Sequence, residues 1–377
     1  MEEFMTIVDC VWLIGVALSI INIRKNSKFF FVLILLSMIY IMSVNNLSGD
    51  ESNLYNTYIN MQNDINQPYD ISFFFFQGIC ETIAIKLGMS FGWFNFVMNV
   101  IAFSLIHCSL KKITDNPSIC YLLFILTSLY LDTTLWRQFL GTAILIYSFQ
   151  YLFVQYSPIK YTFGVLVAAL MHSSLILFLI FIFPKIRMKG RKYFCILLPI
   201  ILLGLTYLNG KQIPLVQTIL GLLPGEKADI YANITGQVNN GWLFTVFIWG
   251  LFMIISWYIT KHTKYVKMAD VRTIGVINNM IALSLVLVCF SFMTLIYSRL
   301  LRPVSWLLFI EFAIWINNIN ENNKKINCEA WKVRIQNIIV LILIFIMGYS
   351  IVFNHILFAY AEIDAVRHGV PFWSSVF

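Results

Sequence analysis

Apolar runs of roughly 17–25 residues recur from one end of this 377-residue chain to the other, and each is long enough to cross a bilayer as an α-helix. A chain in lipid must satisfy its own backbone polar groups, which leaves only helices and closed barrels. Barrel strands would alternate in polarity over about ten residues, and these runs do not alternate. The fold class expected is therefore all-α, a polytopic integral membrane helical bundle of about 12 transmembrane segments, multi-pass and without a separable soluble domain. Only 12% of the residues are charged, about half the share of a soluble globule.

The first apolar segment, Met5 to Ile23, follows Glu2 and Glu3 rather than basic residues, so it reads as a retained helix and not a cleaved signal. The seven cysteines are scattered singly, with no CxxC and no Cys/His cluster. Neither a disulfide framework nor a metal site is expected, and no cofactor is implied. The net charge of +8 sits in short clusters between apolar runs, where membrane orientation accounts for it and nucleic acid need not be invoked.

Those clusters are Arg24/Lys25/Lys28, Lys111/Lys112, Lys185/Arg187/Lys189/Arg191/Lys192, Lys261/Lys264/Lys267/Arg272 and Lys324/Lys325/Lys332/Arg334. The positive-inside rule places all of them in the cytoplasm and both termini outside. Two outer loops follow, 45–90 and 209–241, within one polytopic domain, 1–377. The stretch Asn45–Asp70 fits this, with four acids and no Lys or Arg. Ile71–Ser90 fits either a span or an interfacial amphipathic helix.

If Ile71–Ser90 spans, Lys111/Lys112 is pushed outside. If it lies flat, the 162–184 run must enter and leave on one side and must break, and Met171-His172-Ser173-Ser174 is its only polar interruption. The broken version is preferred because it brings Asp50, Arg137, His172 and Arg299 to one outer face. They are expected to surround a single cavity. The remaining helices are expected near Phe29–Val44, Phe91–Leu110, Pro117–Leu135, Gln138–Tyr156, Tyr193–Leu208, Trp242–Thr260, Thr273–Ser298, Pro303–Asn317 and Ile335–Asn354.

Within this frame a few residues have the chemistry of a site. Arg137, after Trp136 and before Gln138, opens a helix where its charge opposes the macrodipole. Its planar fork suits a phosphate; the alternative is an interfacial anchor. His172 among serines has the pKa range of an acid, base or phosphate partner. Gly49-Asp50-Glu51 opens the acidic loop, with Tyr55 and Tyr58 following at helical spacing. Asp50 reads either as a helix cap or as a base for a sugar hydroxyl. Arg299 and Arg302 in Tyr297-Ser298-Arg299-Leu300-Leu301-Arg302-Pro303 defy the positive-inside rule unless an anion holds them, the alternative being an ordinary turn. Glu311 is costly alone in a helix and is expected to pair within the bundle. Glu362, Asp364 and Arg367 in the tail, with His368-Gly369-Val370-Pro371, are expected to close over the outer cavity.

The Gly49-Asp50 loop with Tyr55, the Phe-rich segment with Glu81, Trp136-Arg137-Gln138, Met171-His172-Ser173-Ser174 and Tyr297-Ser298-Arg299 together resemble the EpsG-like branch of the Wzy polysaccharide polymerases. In that branch an Arg-Gln opens one membrane helix and a His-x-Ser closes the next. The resemblance implies a GT-C-like glycosyltransferase in the bacterial inner (cytoplasmic) membrane. It would join undecaprenyl-pyrophosphate-linked oligosaccharide repeat units at the outer face, making O-antigen, capsule or exopolysaccharide. The partners implied are those lipid-linked oligosaccharides, membrane lipid and a chain-length regulator protein. Asp50 or His172 would be the base, Arg137 with Arg299 or Arg302 the pyrophosphate clamp, and Tyr55, Glu81 and Gln138 further substrate contacts. A lipid-linked oligosaccharide flippase or other transporter is the competing class, and a glycan ligase a third. A transporter should show repeat symmetry and matching broken helices in its two halves, and neither is visible.

Overall fold

The computed structural model describes residues 6–44, 50–63, 71–133, 135–185, 190–210, 241–263, 266–291, 299–323, 360–369 and 371–373, with 339, 342, 345 and 346. No strand occurs among the described residues. The chain divides into two compact units, one of residues 1–178 with 354–377 and the other of residues 179–353.

The first unit begins with α1 (Ile7–Lys25) and α2 (Lys28–Met42). Thr6 and Asp9 start α1 by bonding each other's backbone N–H groups, which satisfies donors that a helix start otherwise leaves bare. Asn26 ends it at φ 47°, a left-handed turn that asparagine tolerates. The helices α3 (Asp50–Asn63) and α4 (Ile71–Lys86) follow, then α5 (Phe91–Ile113), α6 (Ser118–Thr127), α7 (Leu129–Thr133), α8 (Trp136–Phe153) and α9 (Pro158–Met171). A 3-10 helix, Ser173–Lys185, begins in this unit and ends in the second, and the tail contributes α15 (Tyr360–Arg367), which follows the five helices of the second unit in chain order.

Cross-links between helices fix their directions. Phe94 packs on Trp136, Phe103 on Phe139, Ser109 bonds the Ile146 carbonyl and Lys112 bonds Gln150. The partners advance together along both sequences, so α5 and α8 run parallel. Asn116 bonds the carbonyls of Asn22 and Ile23, which sets the end of α5 beside the end of α1. Lys160 lies over the Tyr151 ring, so α9 starts where α8 ends. Arg24, Lys25, Lys28, Lys111, Lys112 and Lys160 thus share one end of the unit.

The opposite end holds the start of α1 and the C-terminus of α2, where Asn99 bonds the Met42 carbonyl. It also holds the starts of α5 and α8. Because α2 arrives at this end and α5 departs from it, α3 and α4 together make no net crossing. Of the two readings of Ile71–Ser90, this geometry matches the one that lies flat.

The 162–184 run is broken where its polar interruption falls. α9 stops at Met171, His172 turns extended at φ −149°, ψ 107°, and the chain resumes as the 3-10 helix. It also doubles back. The Tyr161 hydroxyl donates to the Phe178 carbonyl at 2.8 Å, whereas a straight helix would separate those residues by about 25 Å at 1.5 Å each. Small residues let this hairpin press on α8. A Cβ on Gly164 would collide with Ser148, and one on Gly141 with Leu175, with the Ala168 carbonyl 3.1 Å away. Close backbone approach of this kind is a common basis of helix association in lipid.

The second unit contains α10 (Arg191–Leu208), α11 (Gly241–Lys261), α12 (Met268–Leu283), α13 (Leu285–Phe290) and α14 (Leu301–Asn323). Trp315 bonds the His262 carbonyl, and Asn318 bonds both Asp270 and the Lys267 backbone N–H. The end of α14 therefore lies beside Lys261, Lys267 and Arg272, and its start lies at the other end. Glu311 is fully buried and accepts from Ser256, which accepts from Asn278. The expected pairing within the bundle is therefore present.

Four described helical stretches are long and apolar enough to cross a membrane unaided: Ile7–Lys25, Phe91–Ile113, Trp242–Lys261 and Met268–Phe290. Five shorter apolar helices accompany them: Lys28–Met42, Ser118–Thr127, Pro158–Met171, Ser173–Lys185 and Lys192–Leu208. The expected single helix Pro117–Leu135 is interrupted at Ser128, and Thr273–Ser298 is interrupted at Ser284. Most of Ile335–Asn354 and of the loop 209–241 lies outside the described residues.

Candidate functional site

The end of the first unit away from the lysines gathers most of the residues singled out in the sequence. α3 lies there as an amphipathic helix whose buried stripe is Glu51, Leu54, Tyr58 and Met61, spaced by three or four residues as one helical face requires. The Tyr58 hydroxyl donates to the Met89 carbonyl at 2.7 Å, and its ring stacks on Phe94 with centroids 5.5 Å apart. Phe94 in turn packs on Trp136 at 5.5 Å. Tyr55 sets its half-buried ring edge-on to Phe91. An unbroken aromatic wall thus runs from α3 to the first turn of α8.

Behind that wall, α4 contributes Glu81, which is wholly buried and accepts a bond from the Gln77 amide nitrogen at 2.6 Å. Burial, with the Glu81 charge nearby, pushes the Tyr58 phenol up to about 12. Arg137 and Gln138 occupy the first turn of α8, Gln138 buried and Arg137 half-buried. A half-buried arginine where the helix dipole is positive is unfavourable for the helix itself. His172 caps the hairpin. Its Nδ1 pairs with the Ser174 hydroxyl at 2.8 Å and its backbone N–H donates to Ala168. One turn into α8 from Gln138, Gly141 touches Leu175, Ala168 and Met171, so the His172 turn abuts the helix start that carries Arg137.

Asp50 is the first residue of α3. Arg299 lies in a short 3-10 turn of the second unit, and Arg302 in the first turn of α14, 2% exposed. Arg302 therefore begins a helix, as Arg137 does, and does not sit in the turn at a helix C-terminus that the sequence allowed. Proline at the third helical position is compatible with this, because that N–H would have no helical partner. Tyr297 and Ser298 lie outside the described residues.

The tail docks on the first unit. Arg367 grips Asp9 with three contacts of 3.1–3.3 Å, and Asp364 pairs with His368 at 3.2 Å. Phe372 stacks on Phe96 at 4.3 Å and meets Trp93 edge-on. The tail thus docks where α1 and α5 begin; the Glu362 side chain is outside the described residues.

Sequence reading passed over three buried polar residues here. Glu51 was noted only as a loop acid, and its burial follows from the stripe it shares with Leu54 and Tyr58. Asp132 is a lone acid in an otherwise uncharged run and is buried, a placement costly enough in lipid to have flagged it. Gln77, one turn before Glu81, had no comparable signal. Among the described residues no group of His, Cys, Asp and Glu could hold a metal ion.

Helices long and apolar enough to cross a bilayer, repeated through both units, define a polytopic membrane protein. The EpsG family model matches residues 28–363, and the chain belongs to the EpsG family, membrane proteins of polysaccharide biosynthesis. No curated protein and no solved structure matches it.

Proposed function

We propose that this protein is a glycosyltransferase that polymerises undecaprenyl-pyrophosphate-linked oligosaccharide repeat units at the outer face of the bacterial inner membrane. One observation carries the reading: Arg137 in the first turn of α8 and the His172 hairpin tip share the end of their unit opposite six basic residues. The positive-inside rule makes the basic end cytoplasmic and the Arg137 end external, where lipid-linked repeat units are joined.

The chemistry follows from the residue types. An acceptor sugar hydroxyl attacks the anomeric carbon of the donor glycan, a new glycosidic bond forms, and the bond to the pyrophosphate oxygen breaks. The hydroxyl proton passes to Asp50 or His172, both residue types that serve as general bases. Charge accumulates on the departing undecaprenyl pyrophosphate, and a guanidinium fork at a helix N-terminus suits it twice over, by bidentate bonds and by the backbone N–H groups. Arg302 in the first turn of α14 has the same combination, and with Arg299 it is assigned to phosphate binding as well. Tyr55, Glu81 and Gln138 are assigned to the glycan.

The test is deletion of the gene with complementation by the full chain, and electrophoresis of the glycan. Single-repeat products on deletion and a restored ladder on complementation support the polymerase. Loss of all transferred glycan instead would identify a flippase or ligase, and an unchanged ladder would end the proposal.

A further inference from the structure

Two exposed stripes of side chains climb the first unit and end at the same cluster of rings. On α5 the exposed face runs through Trp93, Val97 and Ile101 and continues by Ser104 and Cys108 to Lys111, each three or four residues on, as one face of a helix requires. On α2 it runs through Phe29, Val32 and Leu36 to the half-exposed Tyr40. Both stripes stop against the C-terminal tail. Phe372 is the peg, 8% exposed, stacked on Phe96 and edge-on to Trp93 with centroids 4.9 Å apart. Trp373 packs on Phe372 at 4.8 Å and on Tyr40 at 6.0 Å, and Gly369 lies close on Val44 just past the end of α2. Trp93 and Trp373 nevertheless stay 45% and 57% exposed.

The length of the α5 stripe points to what covers them. The eighteen steps from Trp93 to Lys111 make about 27 Å of helix, against a hydrocarbon core about 30 Å thick. Lys111 lies at the basic end of the unit, so with its ammonium among the inner headgroups Trp93 falls level with the outer ones. Indole suits that depth, because its ring favours the acyl side while its N–H reaches polar headgroup atoms. The cluster of Tyr40, Trp93, Phe96, Phe372 and Trp373 contains no charged side chain and no side-chain amide, so it lacks the convergent polar groups that fix a sugar. It is continuous with two apolar helix faces that a bilayer covers. We propose that Trp93 and Trp373 form a lipid-binding surface seated in the headgroup layer of the outer leaflet, with phospholipid as its occupant. The tail is then fastened at two points, by Arg367 to Asp9 and by Trp373 to the bilayer. This holds whatever reaction the protein performs.

The test uses the full chain labelled with 5-fluorotryptophan, in phosphatidylcholine nanodiscs, read by fluorine NMR. Trp93→Phe and Trp373→Phe each remove one resonance and so identify it, while keeping a ring in the cluster. Phosphatidylcholine bearing a nitroxide on its headgroup is then mixed into nanodiscs of the wild-type chain, and both resonances are expected to broaden beyond detection. Lipid with the nitroxide at the end of its acyl chain is expected to broaden them far less. If Trp93→Phe does not fold, Trp373 decides alone, since it lies in the tail beyond α15. A resonance that stays sharp beside the headgroup nitroxide overturns the lipid surface. Stronger broadening by the chain-end nitroxide would put the indoles in the bilayer core and overturn it too. Resonances that ignore both lipids and shift as maltohexaose is titrated would make the cluster a glycan platform instead.

Discussion

Substituting Gly164 with alanine tests the packing that holds the hairpin against α8. The new Cβ would point at the Ser148 hydroxyl and come within 2.8 Å of Ser148 Cβ, where ordinary contacts begin near 3.4 Å. The Ser148 side chain cannot simply swing away, since its Cβ is fixed by the helix and its hydroxyl donates to the Ile144 carbonyl. α9 must therefore move out by about 0.6 Å at this point, an overpacking that typically costs about 1–3 kcal/mol, offset by up to about 1 kcal/mol because alanine favours helix over glycine. The next nearest atom is Ser148 Cα at 3.9 Å, so Ser148→Gly removes the whole conflict. Gly164→Ala should melt several degrees lower than wild type in a fluorescence-detected thermal assay and yield shorter glycan, because the helix that moves ends at His172. The double variant Ser148→Gly/Gly164→Ala should recover most of the loss, less about 1 kcal/mol for a glycine inside α8. Wild-type melting of Gly164→Ala, or a double variant no better than it, would refute the close α8–α9 contact.

Arg137→Lys should nearly abolish polymer at matched membrane levels, because lysine keeps the charge and loses the fork; wild-type ladders would make Arg137 an interfacial anchor. Arg302→Lys should behave alike on the same gels, and full activity would remove it from phosphate binding. Cysteines placed at Lys160 and Lys189 should both label from the cytoplasmic side only, since the chain doubles back at His172; external labelling of Lys160 would overturn the topology. Arg367→Asp should lower the melting temperature, with the one-fifth-exposed Asp9 pair worth about 1 kcal/mol, and Asp9→Arg should restore it in the same chain. A double variant less stable than either single one would deny the pairing.

Features set by chemistry along the chain were legible before the structure. Long apolar runs compel helices in lipid, and His172 with its serines was the one polar gap in the 162–184 run, so the break could be read directly. With Ile71–Ser90 lying flat, the positions of the lysine clusters call for a hairpin there, and the Tyr161–Phe178 bond shows one. Features set by packing were not legible. Nothing local says that Gln77 is buried, because that depends on α3 and α9 covering α4. A turn stayed open for Arg302 because cations suit a helix C-terminus as well as an anion site, and only the structure puts it in the first turn of α14. The break at Ser128 follows no proline or glycine. Asp50 and Arg137 were chosen for their residue type and position; Glu51 emerged only once α3 had a buried face.

The grip of Arg367 on Asp9 joins residues separated by 358 positions, and the second unit is encoded between them. During synthesis α1 enters the membrane early, with its Asp9 carboxylate still waiting for its cation. Every helix of the second unit is translated before that cation emerges from the ribosome. The first unit is therefore the last to close, although most of it is made first. A chain that stops before Arg367 would hold nearly all its helices and still lack the ion pair that ties its tail to the start of α1.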